Sequence, residues 1–156
     1  INMLEIGKKA PAFNIPDQTG TLRTLKDLAG KWVLVYFYPR DMTPGCTKEA
    51  CLLRDSMSEL NKLNATVLGV SKDSPESHAK FIKAEKLNFD LLADESTKMI
   101  QKYGAWQQKS MFGNKYMGIQ RMSYLIDPKG KVAKVYPRVS PAKHAKEVLK
   151  DLAELA

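Results

Sequence analysis

The chain contains 156 residues, 44% of them hydrophobic and 27% charged, and it carries a formal net charge of +8. This length and composition predict one globular domain, residues 1–156, whose core needs no disulfide staples. No apolar run approaches the ~20 residues of a membrane-spanning helix, and residues 1–5 lack the features of a signal peptide. We therefore expect a cytoplasmic protein that does not bind membranes. A targeting segment removed before Ile1 stays open, since the chain does not begin with Met.

The positive charge raises the question of an anionic partner. Seven Lys and Arg residues between positions 129 and 150 are opposed only by Glu147. A nucleic-acid site would need such charge, but these residues are scattered and no RNA-binding aromatic signature accompanies them. We interpret them as a solvated basic face and expect no nucleic acid, with docking of an acidic protein partner as an alternative.

The first half of the chain predicts a strand–helix–strand unit. Residues 32–38 are continuously apolar, which is typical of a strand covered on both faces in a parallel sheet. A loop over residues 39–45 follows, and then a helix whose apolar stripe extends back to Cys46. Residues 66–70 form the next buried strand, so the unit should have a right-handed crossover.

The second half predicts shorter elements and a closing helix. Ser74 and Pro75 look like an N-cap and a first helical position. A short strand at 88–93 and a short helix at 96–103 follow. Strands at 123–126 and 132–136 are joined by a type I turn, and Ser140–Pro141 repeats the capping signal before the last helix. This order predicts an α/β protein with a thioredoxin-like fold, a central mixed β-sheet flanked by helices.

The two cysteines, Cys46 and Cys51, are the main chemical signal. Cys46 lies in the first turn of a helix, at the carboxyl end of a central strand, where free N–H groups and the helix dipole favour a thiolate. Five helical residues separate two Cα atoms by about 8.7 Å and rotate them ~140° apart, whereas a disulfide needs less than ~7 Å. Either the cysteines are unrelated core residues, which the spacing alone leaves equally open, or the first turn unwinds when they join.

Metal binding does not explain this pair. A structural zinc site needs four ligands, and the only histidines, His78 and His144, are distant in sequence. We interpret both histidines as solvent-facing helix residues without a catalytic role. We expect no metal.

The segment from Tyr38 to Cys51 resembles the active-site segment of peroxiredoxins, in particular the bacterioferritin comigratory protein (Q-type) subgroup. The family's P-x3-T-x2-C motif is matched by Pro39, Thr43 and Cys46, and the subgroup's second cysteine by Cys51. The similarity covers essentially the whole chain. Its other matching parts are residues 7–13, 69–71, 73–75, Trp106, 113–119, Arg121 and 125–127.

This resemblance implies a thiol peroxidase that needs no metal or organic cofactor. It implies that Cys46 attacks a hydroperoxide and becomes a sulfenic acid, and that Cys51 resolves it as an intramolecular disulfide. Thioredoxin or a similar dithiol protein would then reduce the disulfide by exchange. The supporting roles implied are orientation of the thiolate and peroxide by Thr43, charge stabilisation by Arg121, shielding by Pro39 and support of the arginine by Glu49. We interpret Trp106 as a packing residue.

Because the implied resolving cysteine lies in the same chain, we expect a monomer. Two other functional classes stay open. A thiol–disulfide oxidoreductase of the same fold would usually carry C-x2-C, which this chain lacks. A basic binding protein with structural cysteines would keep its activity after Cys46→Ser.

Overall fold

The computed structural model describes residues 3–156, so Ile1 and Asn2 of the N-terminal segment considered above lie outside the described residues. Within this range, no helix is long and apolar enough to cross a membrane. The strands are β1 Asn14–Pro16, β2 Leu22–Thr24, β3 Trp32–Phe37, β4 Ala65–Ser71, β5 Asp90–Ala93, β6 Trp106–Met111, β7 Asn114–Ile119, β8 Met122–Ile126 and β9 Val132–Tyr136. The helices are α1 Pro44–Lys62, α2 Pro75–Glu85, α3 Lys98–Lys102 and α4 His144–Leu155.

Five strands form the central sheet, in the order β5-β4-β3-β8-β9. Strands β3, β4 and β5 are parallel, whereas β8 runs antiparallel to both β3 and β9. The sheet is therefore mixed, as the strand–helix–strand unit and the later strand pair predicted. This arrangement confirms the expected α/β class.

Strand β3 separates two hydrophobic clusters, one on each face of the sheet. Leu34 and Tyr36 belong to the cluster that also contains residues of α1, α2 and α4. Val33, Val35 and Phe37 belong to the other cluster, together with residues of α3 and β8. Because successive side chains point to opposite faces, a strand with helices on one face and packed chain on the other is apolar at nearly every position.

Several local predictions are confirmed. The Ser74 hydroxyl accepts a hydrogen bond from the Ser77 N–H at 3.1 Å, so it caps α2. The Gly130 N–H donates to the Asp127 carbonyl at 2.9 Å, closing the turn between β8 and β9. Helix α1 begins two residues earlier than predicted, because Pro44 occupies its first position.

The second capping prediction is wrong. Helix α4 begins at His144, and the N–H groups of Lys143 and His144 both donate to the Ser140 carbonyl at 3.1 Å. Ser140–Pro141 therefore opens a turn that precedes the helix. A serine followed by proline suits a turn as well as a cap, so the pattern alone could not separate the two.

The prediction that both histidines face solvent is also wrong, since His78 is 0% and His144 1% exposed. Each lies on the buried face of its helix, His78 with Phe81 and His144 with Val148. Both ring nitrogens of His78 and Nε2 of His144 have buried polar partners, which the helical pattern does not reveal.

Two hairpins were not predicted: β1 with β2, and β6 with β7. Trp106 is the first residue of β6 and packs, half-buried, against the second core cluster, as expected. The Lys72 ammonium lies 5.8 Å from its ring centroid. Since Lys72 follows the carboxyl end of β4, the β6–β7 hairpin starts at the same end of the sheet as the loop before α1, the end where the parallel strands finish.

Candidate active site

Cys46 is the third residue of α1, at the carboxyl end of β3. Thr43 precedes the helix with an extended backbone, and Pro44 occupies the first helical position. Cys46 is only 1% exposed. The first turn of a helix offers unpaired N–H groups and the positive end of the dipole, so this position stabilises negative charge on sulfur.

Arg121 joins Cys46 although 75 positions separate them. It immediately precedes β8, whose Met122 pairs with Phe37 at the carboxyl end of the antiparallel neighbour β3. One guanidinium nitrogen, Nη2, donates to Cys46 Sγ at 3.3 Å. The sheet register therefore brings a permanent cation to the thiol.

Glu49 holds the other side of the same guanidinium. Arg121 Nη1 donates to Glu49 Oε1 at 2.7 Å, and Glu49 is 1% exposed. The second carboxylate oxygen, Oε2, is buried without a hydrogen-bond partner among residues 3–156. Burial raises the pKa of Glu49 to about 7, although Arg121 opposes this shift.

The charges around the thiol follow from these contacts. Burial alone would lower the pKa of Arg121, but its hydrogen bond to Cys46 and the charges of Cys46 and Glu49 raise that pKa overall. Tyr36 lies close enough for both Glu49 and Cys46 to affect it, and burial first, then these charges, raise its pKa well above the usual value. The Cys46 thiol thus has the Arg121 cation and the neutral phenol of Tyr36 as neighbours.

Gly45 leaves space for the Arg121 guanidinium. A Cβ atom at this position would lie 3.2 Å from Arg121 Nη2 and 3.7 Å from Pro141 Cγ. The first contact is tighter than ordinary van der Waals distance, so a side chain at position 45 would require the Arg121 guanidinium to shift by a few tenths of an ångström. The glycine before the cysteine therefore serves the arginine contact.

Thr43 and Pro39 lie in the loop that leads to Cys46, and both are half-buried. The Thr43 hydroxyl donates to the Arg40 carbonyl at 2.9 Å, so its single proton is already used. Its lone pairs can still accept a hydrogen bond from a ligand. The Thr43 carbonyl accepts from the Thr47 N–H at 2.9 Å, which ties the loop to the first turn of α1.

Cys51 lies in the same uninterrupted helix in a different environment. Both cysteines are free thiols, and Cys51 is half-buried with its Sγ 3.8 Å from Glu85 Oε1. Burial raises the pKa of Cys51, Glu85 adds to the shift, and Arg54 opposes it. Of the sequence-predicted residues, the structure thus groups Cys46, Arg121 and Glu49, and it leaves Cys51 elsewhere on α1.

Sequence reasoning missed two features near the thiol. Lys109 on β6 is half-buried, and burial and then the charge of Arg121 lower its pKa, while Cys46 opposes the shift. Asp41, Asp73 and His78 bring potential metal-ligating atoms within 4.8 Å of one another. We assign this cluster to hydrogen bonding, because its facing atoms already meet protein donors and acceptors. Asp41 lies inside the motif segment, but no sequence signal connects it to His78.

The chain has close relatives in both sequence and structure. The sequence model of the AhpC/TSA family matches residues 6–135. Peroxiredoxin Bcp of Escherichia coli strain K12 is 47% identical over 156 residues, which is 100% of both chains. Peroxiredoxin Bcp of Bacillus subtilis strain 168 is 42% identical over 153 residues, which is 98% of both.

Solved structures give the same result. A PrxQ variant from Xylella fastidiosa superposes with a TM-score of 0.93 at 30% identity, covering 99% of both chains. The Xanthomonas campestris bacterioferritin comigratory protein superposes with a TM-score of 0.90 at 33% identity, covering 97% of this chain and 99% of that one. These likenesses confirm the thioredoxin-like fold. The chain belongs to the AhpC/TSA family, within the bacterioferritin comigratory protein (Q-type) subgroup of the peroxiredoxins, and by that membership it is a thiol peroxidase.

Proposed function

We propose that the chain reduces hydroperoxides through a sulfenic acid on Cys46, that Cys51 resolves this acid as an intramolecular disulfide, and that thioredoxin or a similar dithiol protein regenerates both thiols. The observation that carries the proposal is the 3.3 Å contact between Arg121 Nη2 and Cys46 Sγ at the start of α1. A cation and a helix N-terminus on one buried sulfur suit a nucleophilic thiolate.

In the first step the thiolate of Cys46 attacks one peroxide oxygen. An S–O bond forms, the O–O bond breaks, and the departing alkoxide or hydroxide takes a proton to leave as alcohol or water. Negative charge moves from sulfur to the leaving oxygen, and the Arg121 guanidinium can stabilise it at both places. Thr43 can accept a hydrogen bond from the peroxide, and Pro39 limits access of water. The Xanthomonas campestris bacterioferritin comigratory protein has alkyl peroxide reduction activity, which supports a hydroperoxide substrate here.

In the second step the Cys51 sulfur attacks the sulfur of the Cys46 sulfenic acid, so that a disulfide forms and water leaves. Both cysteines lie in one uninterrupted helix, where five-residue spacing keeps them too far apart for a bond. The first turn of α1 therefore has to unwind during each cycle. A dithiol reductant then restores both thiols by exchange.

Two cysteine variants test this proposal. We expect wild-type protein to consume a single equivalent of hydroperoxide and end with an internal disulfide, lower in mass by two hydrogen atoms. Cys51→Ser should stop at a sulfenic acid on Cys46 that dimedone traps, and Cys46→Ser should not react. Stopped-flow fluorescence and mass spectrometry measure each step.

The same experiment separates the other functional classes. A thiol–disulfide exchanger would show no rapid peroxide reaction in any variant. A basic binding protein would keep its activity in Cys46→Ser and bind a polyanion with strong salt dependence. We also propose that the enzyme is a monomer, consists of one domain and is cytoplasmic. Sedimentation of the reduced protein tests its oligomeric state.

A further inference from the structure

A buried hydrogen-bond network lies behind the loop that carries the peroxiredoxin motif. Asp41, in the middle of this loop, is 6% exposed, and His78 on α2 is 0% exposed. His78 Nδ1 lies 2.7 Å from Asp41 Oδ2. The Tyr38 hydroxyl donates to Asp41 Oδ1 at 2.5 Å, and the Ser77 hydroxyl donates to Asp41 Oδ2 at 2.8 Å. We call Tyr38, Asp41 and His78 the loop clamp.

The loop clamp ties the loop to the carboxyl ends of all three parallel strands. Tyr38 directly follows β3, and His78 Nε2 donates to the Leu92 carbonyl in β5 at 2.9 Å. The Asp41 N–H donates to Asp73 Oδ2 at 2.9 Å, and this same oxygen accepts from Ser71, the last residue of β4. Asp41 is therefore held through both its side chain and its backbone.

The protons of this network follow from its partners. A carbonyl oxygen only accepts, so His78 Nε2 carries a proton toward Leu92. On the other side of the ring, Nδ1 and Asp41 Oδ2 form a hydrogen bond of 2.7 Å between two buried side chains. Displacing Asp41 would break its hydrogen bonds with Tyr38, Ser77 and His78 together in a buried site. These hydrogen bonds therefore oppose any movement of Asp41 away from its buried position.

Beyond Asp41 the loop changes character. Met42 is exposed and has a φ of 62°, a left-handed conformation that is uncommon for residues other than glycine. Such a conformation persists where the surroundings determine it. Asp41 is thus the last loop residue held by the loop clamp, and the residue in the left-handed conformation next to it leads directly into Thr43 and the first turn of α1.

We infer that Asp41 and His78 are positioning residues that hold the loop closed and thereby set the ratio between two rates, oxidation of Cys46 by peroxide and disulfide formation with Cys51. This inference rests on the proposed function. The closed loop keeps Thr43 and Cys46 placed for peroxide, whereas disulfide formation requires the start of α1 to leave this geometry. Weakening the loop clamp slows the first reaction and speeds the second.

The test uses Tyr38→Phe, which removes one hydroxyl from the loop clamp, and Tyr136→Phe as its matched control. The hydroxyl of Tyr136 in β9 also donates a hydrogen bond to a carboxylate, that of Asp151 in α4, at 2.6 Å. Stopped-flow kinetics should show Cys46 oxidation about tenfold slower and disulfide formation about tenfold faster in Tyr38→Phe, the factor expected for a hydrogen bond to a charged group. Tyr136→Phe should leave both rates within about twofold of wild type, because its hydroxyl shares no partner with the loop clamp.

Hydrogen exchange of the reduced proteins gives a readout that needs no peroxide. Amides of residues 42–50 should exchange faster in Tyr38→Phe than in wild type, and Tyr136→Phe should match wild type there. Asp41→Asn should give the same pattern with a larger size if it folds, and Tyr38→Phe decides alone if it does not. Rates that fall together, rise together or stay unchanged overturn the inference, as does unchanged exchange. Failure of the proposed function is distinct, because wild type would then not form a sulfenic acid at Cys46.

Discussion

At the scale of single residues, the two thiols of α1 differ in the charge that faces them. Arg121 donates to Cys46 Sγ at 3.3 Å, whereas Cys51 Sγ lies 3.8 Å from the carboxylate of Glu85. A cation at hydrogen-bonding distance stabilises a thiolate, and a carboxylate disfavours one. The assignment of nucleophile and resolving thiol in the proposed mechanism thus agrees with the electrostatics of each site.

Glu49 provides a prediction about pH and stability. Burial raises its pKa from 4.5 to about 7, so the folded protein binds a proton that the unfolded chain has released between these values. The contribution of Glu49 to the free energy of unfolding should therefore fall as the pH rises from 4.5 to about 7, by about 3 kcal/mol relative to a protein without this carboxyl. Glu49→Gln should lack this decline.

Urea unfolding of both proteins at about pH 5 and about pH 8 measures the effect. The comparison concerns the pH dependence, because the amide changes absolute stability by its own contacts with Arg121. An equal change with pH in both proteins would contradict the shift at Glu49.

At the scale of elements, prediction from sequence succeeded where burial or capping determines the local pattern. The apolar run of β3 and the Ser74 cap of α2 both gave correct elements. The β6–β7 hairpin gave no such pattern, because most of its residues are polar or exposed. Its turn also places Phe112 at a φ of 53°, where asparagine or glycine would have indicated a hairpin.

Part of the candidate site could also be predicted from the sequence, and part of it could not. The motif contains Pro39, Thr43 and Cys46 within a short segment, so a resemblance could point to them together. The contact of Asp41 with His78 joins the loop to another helix across 37 positions. Tertiary packing alone creates that contact, and neither residue type nor helical spacing indicates it.

Helix α4 offers a second pH prediction with the opposite sign. His144 Nε2 lies 2.8 Å from Ser123 Oγ of β8, and burial lowers the His144 pKa to about 4, although Asp151 opposes the shift. In the unfolded chain His144 takes up a proton near pH 6.5, whereas in the folded protein it takes up this proton only near pH 4. The contribution of His144 to the free energy of unfolding should therefore fall by about 3 kcal/mol as the pH drops through this window, and over part of it the contribution of Glu49 changes in the opposite direction.

We expect His144→Gln to remove most of this acid-induced loss. Urea unfolding at about pH 7 and about pH 4.5 provides the comparison, with Glu49→Gln as a control that should retain the loss. A decline of the same size in His144→Gln would show that another group takes up the proton.

At the scale of the whole molecule, the two ends of the central sheet carry different residues. The carboxyl ends of β3, β4 and β5 carry the loop clamp, Cys46 and the exposed Lys48 of α1. The turn between β8 and β9, with the exposed Lys129, lies at the amino end of β3, since Ile126 pairs with Val33. Positive charge is therefore present at both ends, but only one end lies near the proposed disulfide.

The net charge of +8 leads to a prediction about the proposed reductant. An acidic thioredoxin should approach faster at low ionic strength, because the potential of the whole surface steers it. Lys48→Glu should slow reduction of the disulfide by about fivefold at low salt and flatten the salt dependence. Lys129→Glu makes the same charge change at the opposite end of the sheet, and salt screens charges at that range, so it should have a smaller effect.

Reduction followed by stopped-flow fluorescence at several salt concentrations tests this, with dithiothreitol as a small-molecule reductant. With dithiothreitol both variants should stay within about twofold of wild type, because its reactive thiolate carries a single charge and is steered less than an acidic protein. Equal slowing of thioredoxin in the two variants would mean that total charge alone governs encounter. A slower reaction of Lys48→Glu with dithiothreitol would place the effect in the disulfide itself and refute docking at this end of the sheet. The expected pattern, loss with thioredoxin only and only at Lys48, requires a partner that meets the molecule where α1 begins.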